Sequence, residues 1–178
     1  MVVADENARA EILIVYGSTK GRTKRIAILV EEALKSIGIS VAIKNAYETK
    51  PAELTLYPYV ILGSSTYGQG DLQLDFRKFE LGVDEMDLTG CKAAVFGSGN
   101  SRYTCFFEAV DILGAKLNIL GAQLLVPGLR QDMLTQTSES EDIRQWVRNM
   151  TAAIMNGRKK RKPQAGSQCH WPGDHGAI

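Results

Sequence analysis

Residues 11–16, EILIVY, form a short apolar run that stops at Gly17, the pattern of a buried strand entering a turn. From Thr23 the apolar positions Ile26, Leu29, Val30, Ala33, Leu34 and Ile37 recur at steps of three and four. That spacing predicts a helix closed by Gly38. Apolar runs return at 39–43, at 59–62 before Gly63, at 91–96 before the sequence GSGNS, and at 122–126, predicting four more strands. Between them, Leu72, Phe76 and Phe79 space a short helix, and Phe106, Val110, Leu113, Leu117 and Leu120 a longer one ended by Gly121. Ser138 with Glu141 three residues on reads as a capping box, and Ile143, Trp146, Val147, Met150 and Ile154 then mark one face of a last helix.

Five strands alternating with helices predict an α/β fold: a three-layer sandwich around a five-stranded parallel sheet. Five strands favour the order 2-1-3-4-5 over the six-stranded dinucleotide arrangement. Residues 1–10 read as an N-terminal extension, 11–156 as one domain, and 157–178 as a basic, Gly/Pro-rich tail without apolar periodicity. In such sheets ligands bind beyond the carboxyl ends of the strands, at the switch point between strands 1 and 3. The segments after strands 1, 3 and 4 are therefore where chemistry is expected.

Composition removes several function classes. The 178 residues carry 21 Lys+Arg and 20 Asp+Glu, a formal net charge of +1. Five of the bases, at 158–162, and one acid, Asp174, lie beyond residue 157, leaving 16 bases against 19 acids before it. The body is therefore near −3 and the tail near +4. Both histidines, His170 and His175, are in the tail, which argues against a Ser/His/Asp hydrolase and against a His-ligated metal. Cys91, Cys105 and Cys169 have neither disulfide-framework nor metal-ligand spacing, which fits a reducing compartment. The sequence MVVADENARA lacks the basic and apolar regions of a signal peptide, and no apolar run nears bilayer length, so a cytoplasmic protein is expected.

After strand 1, Gly17-Ser18-Thr19-Lys20-Gly21-Arg22-Thr23 gathers three hydroxyls and two glycines at a helix N-terminus. Free N–H groups and the positive helix end favour an anion there, and hydroxyls add donors; a turn that merely caps the helix is the simpler alternative. The nucleotide-hydrolysing GxxxxGK[ST] and the dinucleotide GxGxxG are both missing. After strand 3 comes Ser64-Ser65-Thr66-Tyr67-Gly68-Gln69-Gly70-Asp71, and after strand 4 Gly97-Ser98-Gly99-Asn100-Ser101-Arg102-Tyr103. Two tyrosines brought to one sheet edge can sandwich a flat ring.

These segments carry a resemblance. VYGSTKGRT, GSSTYGQGDLQLDF and GSGNSRYTCFFEAVDIL, followed by LGAQLLVPGLRQD without a long insertion, resemble the successive loops of a short-chain flavodoxin of the sulfate-reducing-bacterium type. The resemblance runs from about Glu11 to Ile154 and implies non-covalent FMN and low-potential one-electron transfer between redox enzymes, cycling through oxidised, semiquinone and hydroquinone states. Carried over by position, Ser18, Thr19, Lys20, Gly21, Arg22 and Thr23 would hold the phosphate, and Ser65 and Thr66 the ribityl chain and ring edge. Tyr67 and Tyr103 would cover the two ring faces. Backbone around Gly99, Asn100 and Phe107 would meet the pyrimidine edge. Gly68 would turn its peptide to accept a hydrogen bond from N5–H of the reduced ring, at low steric cost.

The resemblance further implies a monomeric carrier, not an enzyme, that docks transiently and electrostatically on redox partner proteins, with no metal, nucleic acid or membrane insertion. Within the fold, an FMN-dependent NAD(P)H:quinone reductase and a regulatory module without carrier activity are the alternatives. This chain departs from the family pattern by carrying Asn100 where an acid is common and a basic cluster of Lys20, Arg22, Lys24 and Arg25. Those changes predict a less negative potential for the second electron than in acidic family members.

Overall fold

A computed structural model describes residues 10–134 and 139–159. Its parallel strands are β1 (Ile12–Gly17), β2 (Val41–Asn45), β3 (Tyr59–Tyr67), β5 (Lys92–Gly99), β6 (Gln123–Leu124) and β7 (Leu129–Asp132), and a short β4 (Asp71–Leu72) pairs antiparallel with β3. The lanes run β2-β1-β3-β5-β6, the expected 2-1-3-4-5 order. Helices are α1 (Arg22–Ser36), α2 (Leu74–Val83), α3 (Glu108–Ile119) and α4 (Glu139–Lys159).

The strand alternation divides the core in two. Leu13 and Val15, Val60 and Leu62, and Ala93 and Val95 face a cluster with Phe76, Phe79, Val110, Leu113 and Leu117 from α2 and α3. Ile12 and Ile14, Tyr59 and Ile61, and Ala94 and Phe96 face α1 and α4 through Ile26, Val30, Leu34, Ile143, Trp146 and Met150. Both faces of the sheet are thus apolar and both are covered, which is why the strands read as unbroken apolar runs rather than as alternating ones.

Several boundaries differ from those the sequence predicts. Strands β3 and β5 continue past their apolar runs, so 63–67 and 97–99 are strand, not loop. Leu72 sits in β4 rather than on the helix, and α2 starts at Leu74. The second strand is shifted two residues later than 39–43, and Pro51–Leu56 forms a 3-10 helix inside the polar connection. Phe106 precedes α3, whose N-cap is Phe107.

The fifth lane is broken. Ala93 faces Leu124 while Phe96 faces Leu129, so five steps on the outer strand match three on β5. The extra residues surround Pro127, which has no N–H for the ladder. At Gly128 a Cβ would lie 2.3 Å from Val110 Cγ1, so glycine lets the kink pass under α3. Helix α4 carries Ile143, Trp146, Val147, Met150 and Ile154 inward, as its stripe predicts. It runs through Gly157 and Arg158 to Lys159, so the first tail residues are helical. Ser138 and residues 160–178 lie outside the described residues.

Candidate functional site

At the carboxyl edge of the sheet, β1, β3, β5 and β7 end around a cleft of about 350 Å³. That is within the range of small-ligand sites. The end of β1 packs hard against the start of α2 at Gly17, where a Cβ would meet Gln73 Oε1 and Phe76 Cβ at 2.7 Å. Ser18, Thr19 and Lys20 follow, and Gly21 closes the turn in the left-handed region at φ 81°, where an L side chain is strained. Gly21 is the N-cap of α1, with no side-chain cap and no acid in the first turn of the helix. The first N–H groups of α1 therefore stand beside hydroxyls and cations rather than a capping carboxylate.

Two buried contacts fix this turn to the rest of the edge. Thr23 and Ser98, both essentially without solvent exposure, share a hydrogen bond of 3.1 Å between their hydroxyls. Gln73, also buried, donates to Thr19 Oγ1 at 3.3 Å while its Oε1 accepts the N–H of Phe76 at 3.0 Å and so caps α2. The backbone N–H of Gln73 donates to Ser64 Oγ and to the Ser65 carbonyl. One residue thereby ties the first loop to the second.

The second wall is the tip of the β3–β4 hairpin. Gly68 at φ 57° and Gly70 at φ 121° make the turn, with the Gly70 N–H on the Tyr67 carbonyl at 3.2 Å. Thr66 Oγ1 accepts the N–H of Ala109, placing the start of α3 beside the hairpin. The third wall starts at Gly99, where a Cβ would lie 1.7 Å from the Phe106 carbonyl oxygen. The loop folds back on itself there: Asn100 takes the N–H of Arg102 on its side chain and that of Tyr103 on its carbonyl. Asp132, at the end of β7, holds the N–H groups of Ser101 and Leu134. The Ser101 bond, then that of Leu134, and the charge of Arg22 keep its carboxyl below the ordinary aspartate range.

Most of the residues expected from the sequence converge here. Ser18, Thr19, Lys20, Arg22, Thr23, Ser65, Thr66, Tyr67, Gly68, Asn100 and Tyr103 line the cleft. Gly21, Gly99 and Phe107 do not: Gly21 shapes the turn, the Gly99 carbonyl accepts the Met133 N–H at 2.7 Å, and the Phe107 ring packs on Phe106 at 4.3 Å. Lys24 and Arg25 are exposed on α1 outside the lining. Four lining residues were not expected: Ser98, Cys105, Phe106 and Met133. Met133 gave no signal of its own, because the strand LRQD that delivers it to this edge has no apolar run to announce it.

Tyr67 and Tyr103 are 67% and 65% exposed although each is a large aromatic on a well-formed wall. The thiol of Cys105 is pushed up by its hydrogen bond to Glu108, and that of Cys91 by burial, so neither is primed as a thiolate. Among the described residues no group of three or more His, Cys, Asp or Glu is arranged for a metal, and no helix is long and apolar enough to cross a membrane.

A doubly wound sheet whose switch-point cleft offers hydroxyls, cations and helix N–H groups at one end and two open aromatic rings at the other is the frame of a flavin mononucleotide carrier. Residues 14–146 match the flavodoxin family model. The chain is 33% identical over 150 residues to probable flavodoxin 2 of Bacillus subtilis, covering 82% of this chain and 99% of that protein. It is 40% identical over 123 residues to a flavodoxin of Maridesulfovibrio salexigens, covering 67% and 84%. The crystal structure of oxidised flavodoxin 2 from Bacillus cereus superposes with a TM-score of 0.77 at 33% identity, over 80% of this chain and 99% of that one. The chain belongs to the flavodoxin family, whose members are standing examples of the switch-point rule. As in that family, its cofactor is FMN and its work is electron transfer to and from partner redox proteins rather than catalysis. Its fifth lane is broken by 125–128 alone, in keeping with the short-chain form.

Proposed function

We propose that FMN lies in the cleft at the carboxyl edge, its phosphate on the first loop and its ring between Tyr67 and Tyr103. The observation that carries this reading is the chemistry of the lining: six Ser and Thr hydroxyls, two cations and no carboxylate, beside two exposed phenol rings. Ser18, Thr19 and the N–H groups at the start of α1 hold the phosphate, with Lys20 and Arg22 supplying opposite charge. Thr23 acts from behind, through its bond to Ser98, and Gly21 by its left-handed turn. Ser65 and Thr66 orient the ribityl chain and ring edge, and Tyr67 and Tyr103 exclude water from the ring faces. Bound FMN supplies one-electron chemistry.

Gly68 lies in the left-handed region with nothing nearer than Asp71 Oδ2 at 3.9 Å from a would-be Cβ, so its peptide has room to turn toward the ring. Backbone at Asn100 serves the pyrimidine edge. Phe107 contributes by packing, and Gly99 by letting the Phe106 carbonyl come close. The protein works as a cytoplasmic monomer that docks transiently on its partners.

The test is reconstitution with FMN and with riboflavin. The purified protein is expected to be yellow with one FMN per chain. In Ser18→Ala/Thr19→Ala, loss of two bonds to a charged group is expected to weaken FMN by about 100-fold or more, and riboflavin far less. A colourless protein that takes up no FMN overturns the proposal. Rapid direct reduction by NAD(P)H would point to the reductase reading instead.

A further inference from the structure

Asp132 does not line the cleft, yet it bonds to segments that do. It ends β7, faces Gly99 across the ladder and is half-buried. Its Oδ1 accepts the N–H of Ser101 at 3.2 Å and that of Leu134 at 3.1 Å. The second bond folds the chain back locally at Met133, which lines the cleft. The first reaches from the last lane of the sheet to the loop that follows β5. Beyond Ser101 that loop holds itself: Asn100 accepts the N–H of Arg102 on its side chain and that of Tyr103 on its carbonyl, each at 3.0 Å. The Tyr103 ring is two-thirds exposed, so packing against the protein does little to fix it. Where the ring stands is set by the backbone of 100–103, and Asp132 ties that backbone to β7.

Resting on the assignment of FMN to this cleft, we propose that Asp132 is a positioning residue for the ring end of the site: by accepting the Ser101 N–H it holds Tyr103 where that ring covers the flavin. The action is that of an acceptor in a fixed place, not of a charge felt by the ring. Two donors on one oxygen orient the carboxylate, and the Ser101 bonds, the Leu134 N–H and the charge of Arg22 keep it ionised at neutral pH. The N–H groups of 101–103 are thereby engaged before any ligand arrives, and a wall that is already ordered loses less freedom on binding. Arg22 lines the phosphate end of the cleft, so a carboxylate acting through Arg22 would be felt by the phosphate and not by the ring. Flavins with and without a phosphate separate these two actions.

The test compares Asp132→Ala, which removes the acceptor, with Asp132→Asn, which keeps one oxygen and loses the charge, in fluorescence titrations with FMN and with riboflavin. Asp132→Ala is expected to weaken both flavins by about tenfold or more and by the same factor, because the ring is common to them. Asp132→Asn is expected to stay within about threefold of wild type. In a Tyr103→Leu background, Asp132→Ala is expected to add less than about threefold, since its effect runs through that ring. Affinities within about twofold of wild type in Asp132→Ala overturn the proposal. So do equal losses in the Ala and Asn variants, losses that multiply with that of Tyr103→Leu, or a loss for FMN alone, which would put the action at Arg22. Backbone amide relaxation of the full-length protein without added flavin supplies a readout that does not need the cofactor. Residues 101–103 are expected to loosen in Asp132→Ala and to stay as ordered as wild type in Asp132→Asn; unchanged order in both overturns the proposal. A protein that takes up no flavin but loosens at 101–103 in Asp132→Ala sinks the cofactor assignment and leaves the hold of Asp132 on the loop standing.

Discussion

At Gly99 the chain has no room for a Cβ, because the Phe106 carbonyl oxygen already occupies its place at 1.7 Å. Gly63 is similar: a Cβ there would enter the Phe96 ring, 2.0 Å from Cζ. Gly99→Ala is therefore expected to push the third loop off the sheet edge, costing about 1–3 kcal/mol of stability and at least tenfold in FMN affinity, read by chemical denaturation and by fluorescence titration. Gly63 and Gly99 show why the strand ends were illegible in the sequence. Small, polar residues after an apolar run read as loop, and it is the pairing of 63–65 with 96–98 and of 97–99 with 130–132, partners remote along the chain, that makes them strand. The cations that line the cleft have their own residue-scale consequence. A charge about 10 Å from the ring at an effective dielectric near 40 is worth roughly 1 kcal/mol, or about 40 mV for one electron. Arg22→Gln is expected to shift the second-electron potential to more negative values by tens of millivolts, and a potentiometric titration that finds no shift would show that solvent screens the guanidinium.

Among the elements, α2 is packed through Phe76, Phe79 and Val83 and capped at its start by Gln73. The Gln73 side chain accepts the Phe76 N–H and donates to Thr19, while its backbone N–H donates to Ser64 Oγ, all within 3.3 Å. Gln73→Ala is expected to cost about 1–2 kcal/mol, the usual loss of a buried N-cap, and to weaken FMN binding because Thr19 loses its tether. A variant with altered stability but wild-type FMN affinity would separate the two roles. The 3-10 helix Pro51–Leu56 is clipped to β2 by Lys44 and Glu53. The hydrogen bond from Lys44, with that from the Lys50 backbone, lowers the Glu53 pKa. A lowered carboxyl pKa contributes stability above its unfolded value and loses it as the pH falls through the folded value. Glu53→Gln is thus expected to be less stable at pH 7 by up to about 1 kcal/mol, a gap that closes below about pH 4 in thermal melts across pH. The helices were readable from the sequence because their apolar stripes are long. Strand β7 was not, since LRQD alternates buried Leu129 and Gln131 with polar neighbours and follows Pro127.

For the whole molecule, the order of lanes, the two-sided core and the edge that carries the cleft all followed from apolar runs and the glycines that end them. What did not follow were groups brought together by packing: Ser98 behind Thr23, Phe106 ahead of α3, Met133 beyond the broken lane. The C-terminal helix was read as ending before Gly157, but packing extends it. Arg158 lies over the Tyr59 ring at 5.9 Å and pairs with Glu11, and the Gly157 backbone passes close to Lys92. Ending the chain after Lys159 is expected to leave the melting temperature and FMN stoichiometry unchanged, whereas ending it after Met155 is expected to lower the melting temperature by several degrees as these contacts go. The same contacts settle which way the molecule faces when it is held. Glu11, Tyr59 and Lys92 stand at the start of their strands at one pole and the cleft lies at the other, so in a chain ended at Lys159 anything joined directly to that residue is joined at the back. Coupled through that end to a bead, an electrode or a neighbouring enzyme, the protein becomes an oriented layer with every cofactor turned outward, open to carriers in solution and shielded from its support by the length of its own sheet.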